Sequence, residues 1–310
     1  MLHYYSKRSR GEAIRTGVKP HNDDVWVHGE SVVADDLSYL ADEYGLSPNI
    51  IRDVRDVSEL PRVEYAEDAL YIFLRTPRRT KHGEVYTSPL LSIVQKDKFF
   101  TLAYSDSFRP DDIIGSNPTD METDPVALAL ATFAAVVSIY ESVLHRTSRA
   151  VRDVGSRLRT HEVTNRDIIR FAVIEDNLNE CGTNLDGMVA LARHLRENRR
   201  DTFTAADVEM IDDIILHIQQ LLVSLASQRQ SVKSIRNAYT TIANNSMNQR
   251  IKTLTVLTVL IALPNVFYGM YGMNVALPFA DQPWAYSVVV TFTILLIFGV
   301  YLLAKRFRIF

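Results

Sequence analysis

Between Leu254 and Tyr271 the chain reads LTVLTVLIALPNVFYGMY, eighteen residues without a charge, and runs directly into Gly272-Met273-Asn274. A second uncharged stretch, YSVVVTFTILLIFGVYLLA, covers Tyr286 to Ala304. A bilayer core is roughly 30 Å thick and takes about 20 apolar residues as a helix, and both stretches approach that length. Buried core helices seldom have interiors so free of charge, so the pattern reads as two membrane spans joined by a short loop. Arg250 and Lys252 precede the first span, and Lys305, Arg306 and Arg308 follow the second. The loop from Val275 to Trp284 has no Lys or Arg and one acid, Asp281. Basic flanks mark the cytoplasmic side, so both termini are expected inside and the loop outside, in a multi-pass protein of the cell (plasma or inner) membrane. Trp284 and Tyr286 stand at the outer edge of the second span, where aromatic rings prefer the interface.

Outward from the spans the character changes. Nearly all the charge lies before Lys252, which the net charge of −3 over 310 residues conceals. No overall basic excess points to nucleic acid. The single cysteine, Cys181, excludes an intramolecular disulfide framework and a Cys-rich zinc site, as expected of a reducing cytosol. Met1 to Arg8 has no apolar run of the signal-peptide kind. From Asp124-Pro125 no further Pro occurs until Pro264. Apolar residues recur at Leu128, Leu130, Phe133, Val136, Ile139, Tyr140 and Val143, then at Ile168, Phe171, Ile174 and Leu178. The spacing predicts three long helices: Pro125 to Arg159, Thr164 to Arg196, and Thr204 onward. Thr160-His161-Glu162 and the run Glu197 to Arg200 mark the breaks, and Thr204 is the candidate N-cap. With no breaker before the membrane, the third helix is expected to continue to about Tyr271, on the order of 100 Å. Its stripe of Ile211, Ile214, Ile218, Leu221, Leu222 and Leu225 needs cover, and one span pair cannot enclose a pore, so an oligomer is expected.

Residues 1–124 read as a cytosolic α/β domain. Ala69 to Leu74 and Leu90 to Val94 have the composition of buried strands, and Phe99 to Tyr104 follows a Lys96-Asp97-Lys98 turn as the second arm of a hairpin. Asp35 to Tyr44 reads as a short helix closed by Gly45 and a Ser47-Pro48 turn. The whole is an α+β membrane protein: the domain 1–124, a helical stalk 125–250, a first span 251–273, a loop 274–285, a second span 286–304 and a basic tail 305–310.

Polar residues inside a bilayer are costly and are functional candidates by default. Asn248, Ile251, Thr255, Thr258, Ala262, Asn265 and Gly269 follow steps of three and four, so they share one helix face, and Asn274 lies at its outer end. Such Thr and Asn residues can also simply hydrogen-bond between helices. Repeated around a symmetric oligomer, Asn265 and Asn274 would form rings of neutral oxygen acceptors, suited to a Mg²⁺ ion that surrenders its waters reluctantly. Neither span contains Cys or His, the ligands that zinc or copper favours, and neither contains a carboxylate for a proton relay.

Tyr271-Gly272-Met273-Asn274 closes the first of two C-terminal spans, after a Pro-containing helix and before a short loop, a second span and a basic tail. This arrangement resembles the CorA family of divalent-cation transporters, whose signature is Gly-Met-Asn at that place. Leu60-Pro61-Arg62-Val63-Glu64-Tyr65 is similar to a second family segment in the cytosolic domain. The resemblance implies a funnel-shaped homopentamer that conducts hydrated Mg²⁺, with Co²⁺ and Ni²⁺ as further cargo. It implies a selectivity mouth at Gly272, Met273 and Asn274, a pore lined by Asn265, Gly269, Thr258 and Asn248, and a hydrophobic gate at Ile251, Leu254 and Thr255. It also implies a regulatory Mg²⁺ bound by acids between subunits, for which Asp213, Asp212 and Glu209 stand at a stalk position; the facing loop Arg75 to Lys81 is basic. The expected partners are the lipid bilayer, divalent cations and further copies of the chain, without nucleic acid. Two other readings stand beside this one. A zinc transporter of the same superfamily would carry Gly-Ile-Asn, against Met273. A non-transporting anchored scaffold or sensor would not need the polar face. No P-loop, GxSxG, HExxH or paired-Cys motif suggests an enzyme.

Overall fold

The computed structural model describes residues 1–6, 15–17, 24–105, 108–110, 113, 124–157, 165–273 and 282–306. Contacts divide the chain into two compact units, Met1–Ile235 and Arg236–Phe310.

In the first unit, β1 (Leu2–Ser6), β2 (Arg15–Gly17), β3 (Asp24–Gly29), β4 (Arg62–Ala66), β5 (Ala69–Arg79), β6 (Val85–Gln95) and β7 (Lys98–Ala103) form one sheet in the order β2-β1-β3-β7-β6-β5-β4. Every pairing is antiparallel except β3 with β7, which joins the N-terminal strands to the β4–β7 meander. The near-continuous apolar runs of β5 and β6 follow from burial on both faces. Ala69, Tyr71, Phe73, Leu91, Ile93, Phe100 and Leu102 share a core with α1 (Ala34–Tyr44), α2 (Pro48–Arg52) and the Asp53–Arg55 turn. The helix α3 (Pro125–Arg157) packs on β5, β6 and β7, and α4 (Asn165–Arg196) packs on α3, β4, β5 and β6.

The hairpin of β6 and β7 forms around the predicted turn, with Lys96 in the left-handed region at φ 46°. Gly45, at φ 66°, ends α1 as expected. Ser47-Pro48 corrects the reading of a closing turn: it opens α2, with Pro48 in the first turn, where a missing N–H costs nothing. The segment Arg75 to Lys81 is likewise not a loop. Arg75 to Arg79 continue β5 and pair with Pro89 to Val85, so only residues 80–84 turn. Pro77 and Pro89 are tolerated because β4 pairs no further than Phe73 and β7 no further than Leu90, which leaves this end of the hairpin without outer ladders.

Arg75 is buried and forks across the hairpin. Its Nε donates to Thr87 Oγ1 at 2.8 Å, one terminal nitrogen to Thr87 O at 3.0 Å, and the other to Val57 O at 2.8 Å and Glu59 O at 2.6 Å. Thr87 Oγ1 then donates to Glu180 Oε1 on α4 at 2.5 Å, and Asn184 Nδ2 donates to the same carboxylate oxygen at 3.1 Å. Arg62, from the second family-like segment, is paired with Asp53, Glu59 and Glu64 and lies over the Phe73 ring, which ties β4 to β5 and to the segment before it.

Beside this network, Cys181 is buried, and loss of solvation with the nearby Glu180 pushes its thiol from about 9.0 to about 12. Burial, reinforced by Cys181, also raises the Tyr140 phenol well above its ordinary value. Both groups hold their protons more tightly folded than unfolded. Their contribution to stability is therefore complete below pH 9 and is lost as pH rises through 9 toward 12. Urea midpoints of the whole protein should fall over that interval, and Cys181→Ala should flatten part of the decline. A midpoint independent of pH from 8 to 11 would contradict the assignment.

The third long helix, α5 (Ala205–Tyr271), is continuous for 67 residues. Thr204 caps it as predicted: the Asp207 carboxylate accepts from Thr204 N at 2.8 Å, and Asp207 N donates to Thr204 Oγ1 at 3.3 Å. Its stripe Ile211, Ile214, Ile218, Leu221 and Leu225 is buried, together with Ile215, and Leu222 is half-buried. Ile168, assigned to the α4 stripe, is instead exposed.

The second unit holds the C-terminal part of α5 and the helix α6 (Ala285–Arg306). Phe267 meets Phe292 edge-on at 5.4 Å, and Val256, Thr293 and Ala304 are buried. Among the described residues, three helices are apolar enough by length and composition to cross a membrane: α3, α5 as far as Met270, and α6. Burial separates them, since 50 % of the apolar window of α3 is covered within the chain, against 0 % for α5 and 11 % for α6.

Candidate functional site

The polar face predicted for the first span lies on an unbroken helix. Asn248, Ile251, Thr255, Thr258, Ala262, Asn265 and Gly269 are all exposed in the single chain. The alternation of four and three extends to Gly272 at one end and through Asn244 and Thr241 to Asn237 at the other, and these too are exposed. A repeat of 3.5 residues is the signature of a seam that keeps facing one axis as helices supercoil. The covered positions follow a different line: Val256 is buried and Leu260, Leu263 and Phe267 are half-buried. A narrow line of α5 is thus covered within the chain, while the small and polar face, like Leu254, Leu257, Val259, Ile261 and Val266, is left open.

Individual groups sharpen this. Thr255 Oγ1 donates to Ile251 O and Thr258 Oγ1 to Leu254 O, each at 2.9 Å, so both hydroxyls are satisfied without a neighbouring helix. A Cβ on Gly269 would meet nothing within 4 Å, so neither packing nor backbone conformation in this chain demands glycine there. A Cβ on Gly272 would lie 3.3 Å from Tyr268 O. Leu254, placed in the gate beside Ile251 and Thr255, is exposed but stands one position off the seam. Met273 is exposed, and Asn274 lies outside the described residues, as do residues 275–281 of the loop.

Counted back along the sequence, the same alternation passes Ser234, Gln230, Ser227, Val223, Gln220 and Leu216 to Asp213 and Glu209, all exposed. It excludes Asp212, whose carboxylate is held by Arg196 Nε at 2.6 Å. Among the described residues no group of three His, Cys, Asp or Glu side chains within one chain could hold a metal, so Glu209, Asp212 and Asp213 do not form a site by themselves. Between Asp213 and Asp281 the sequence has no acid, and the basic residues Arg229, Lys233, Arg236, Arg250 and Lys252 all fall off the seam. The face expected from the sequence ends at Asn248; the positions beyond it lie among other polar residues, and the four-three spacing is the signal that extends it.

The family model for the CorA-like Mg²⁺ transporter protein matches residues 22–306. The cobalt/magnesium transport protein CorA of Methanocaldococcus jannaschii is 23% identical over 283 residues, 88% of this chain and 87% of its own. The complete structure of that transporter superposes with a TM-score of 0.83 at 20% identity, covering 99% of this chain and 98% of the other. The CorA protein of Thermotoga maritima is 21% identical over 85% of this chain and 77% of its own length. The ZntB cytoplasmic domain from Vibrio parahaemolyticus shares the fold, with a TM-score of 0.60 at 10% identity over 78% of this chain and 98% of its own. With the family match spanning nearly the whole sequence, the chain belongs to the CorA-like Mg²⁺ transporter protein family, a family of divalent-cation transporters and not of enzymes.

Proposed function

We propose that the chain is one subunit of a homopentameric channel through which the membrane potential drives hydrated Mg²⁺ inward, with Co²⁺ as a second cargo. The observation that carries the reading is the open seam of α5, continuous from Asn237 to Gly272, free of charge, small or polar at every position except Ile251, and uncovered within its own chain. In this reading residues 1–124 and the stalk 125–250 lie in the cytosol. Residues 251–273 and 286–304 span the membrane, 274–285 lie outside, and 305–310 return to the cytosolic side. The half-buried α3 belongs to the soluble part. Asn274 with Gly272 and Met273 forms the outer mouth, Gly269, Asn265, Thr258 and Asn248 line the passage, and Ile251, Thr255 and the adjoining Leu254 narrow it. Glu209 and Asp213, at the head of the same alternation, are the acids best placed to meet a regulatory Mg²⁺ shared between copies, with Asp212 engaged by Arg196.

Neutral oxygen acceptors suit an ion that keeps its water shell. A divalent cation gains about 4.6 kcal/mol per 100 mV, so no other coupling is required. The test is uptake by proteoliposomes loaded with a Mg²⁺ dye, under an imposed potassium diffusion potential. Mg²⁺ influx should increase as the interior is made more negative and should be indifferent to a pH gradient. Zn²⁺ uptake that follows the pH gradient without Mg²⁺ flux would replace the proposal with the zinc-transporter reading; absence of any flux would favour the anchored scaffold.

A further inference from the structure

The first unit contains a cavity of about 330 Å³ between the β5–β6 turn, α3 and α4, near the lower end of the ~300–1,000 Å³ usual for small-molecule sites. Its lining divides by chemistry. Arg79 on the hairpin and Arg170 on α4 supply cationic groups, His82 adds an imidazole, and Val154, Val173 and Ile174 supply an apolar wall. The one acid in the lining, Asp153, is already paired with Arg157 at 3.1 Å. Arg170 is half-buried and, among the described residues, has no carboxylate partner. A partly desolvated guanidinium without a counter-ion is costly and calls for an anion.

The turn that follows Arg79 and carries His82 is fixed. Asn177, only 5% exposed, accepts from Val85 N at 2.7 Å and donates to Gly83 O at 2.8 Å, which binds the turn to α4 on both sides. Gly83 O also accepts from Arg79 Nε at 3.2 Å, which anchors that side chain through one nitrogen. Two arginines in a pinned frame match the tetrahedral oxygens of a phosphate, for which the guanidinium fork is suited. The apolar wall has no use for a bare inorganic ion and suits a ring or carbon skeleton.

We propose that this cavity binds an organic phosphate, its phosphoryl group between Arg79 and Arg170 and its apolar part against Val154, Val173 and Ile174. None of its lining residues belongs to α5, and the proposal does not depend on the transport reading. Titration calorimetry of the full-length protein in detergent, with adenosine monophosphate and inorganic phosphate as probes, tests it. The monophosphate should bind once per chain and more tightly than inorganic phosphate. Arg79→Ala and Arg170→Ala should each weaken binding about tenfold or more. Since Arg170 is half-buried, the exposed Arg79→Ala and His82→Ala variants supply the test in proteins whose folding is undisturbed. No binding of the monophosphate at millimolar concentration, equal affinity for the two probes, or affinity unchanged in Arg79→Ala would overturn the assignment.

Discussion

Replacing Asn274 with alanine is expected to abolish Mg²⁺ uptake while leaving the protein assembled in the membrane. In the proposed pore each copy contributes one side-chain amide to a ring around the outer mouth, and each amide oxygen accepts from a water of the ion's shell. A net contribution of about 1 kcal/mol per hydrogen bond, repeated around five copies, gives several kcal/mol at the mouth. Since each 1.4 kcal/mol is about tenfold, flux should drop below detection. Alanine leaves no group there able to replace the amide. Assembly should be unaffected, because the contacts that hold the second unit together within a chain involve Val256, Phe267, Phe292 and Thr293 and not Asn274. Dye-loaded vesicles report the flux and size-exclusion chromatography the assembly; wild-type flux in the variant would remove Asn274 from any role in selectivity.

Arg75→Ala is expected to be the most damaging single change in the soluble part, costing about 3–5 kcal/mol. The substitution removes four hydrogen bonds, leaves the carbonyls of Val57, Glu59 and Thr87 without this donor, and takes away the positive charge that reaches Glu180 through the Thr87 hydroxyl. Against a typical domain stability of about 5–15 kcal/mol that is a large fraction. Arg75→Lys keeps the charge and loses the planar fork, so it should recover less than half of the deficit. Urea midpoints of the two variants and the wild type decide the matter. An alanine variant within about 0.5 kcal/mol of wild type would show that the network contributes little.

The helices were legible because their signals are local. Sparse Gly, scarce Pro and three-to-four spacing point to the helices that stand at Pro125–Arg157, Asn165–Arg196 and Ala205–Tyr271; the expected ends at Arg159 and Thr164 and the break at Thr160-His161-Glu162 lie outside the described residues. The strands were legible only where both faces are buried, in β5, β6 and β7. β4 is half-buried at every residue, so it has no alternation to read, and β3 is held by a parallel pairing with β7, more than sixty residues later. Arg75 was misread for a related reason: Arg-Thr-Pro-Arg-Arg has loop composition, and only the partner strand Val85 to Pro89 makes it a strand. The seam was partly visible. Its residues within the span stood out as polar groups among apolar ones, whereas Asn237, Thr241 and Asn244 lie among other polar residues and acquire meaning only from the exposed line they continue.

The bonds made by Thr255 and Thr258 have one more consequence. Each hydroxyl has committed its only proton to a carbonyl of its own helix, at Ile251 and Leu254. What these two positions offer outward is lone pairs alone, a lining that can receive hydrogens and has none to give. In the proposed passage, the water shell of a cation, its hydrogens outward, would meet acceptors here, and the shell of an anion, its oxygens outward, would find no donor. On that reading, the sign of the passenger is written into the direction of a proton at these two turns of the helix.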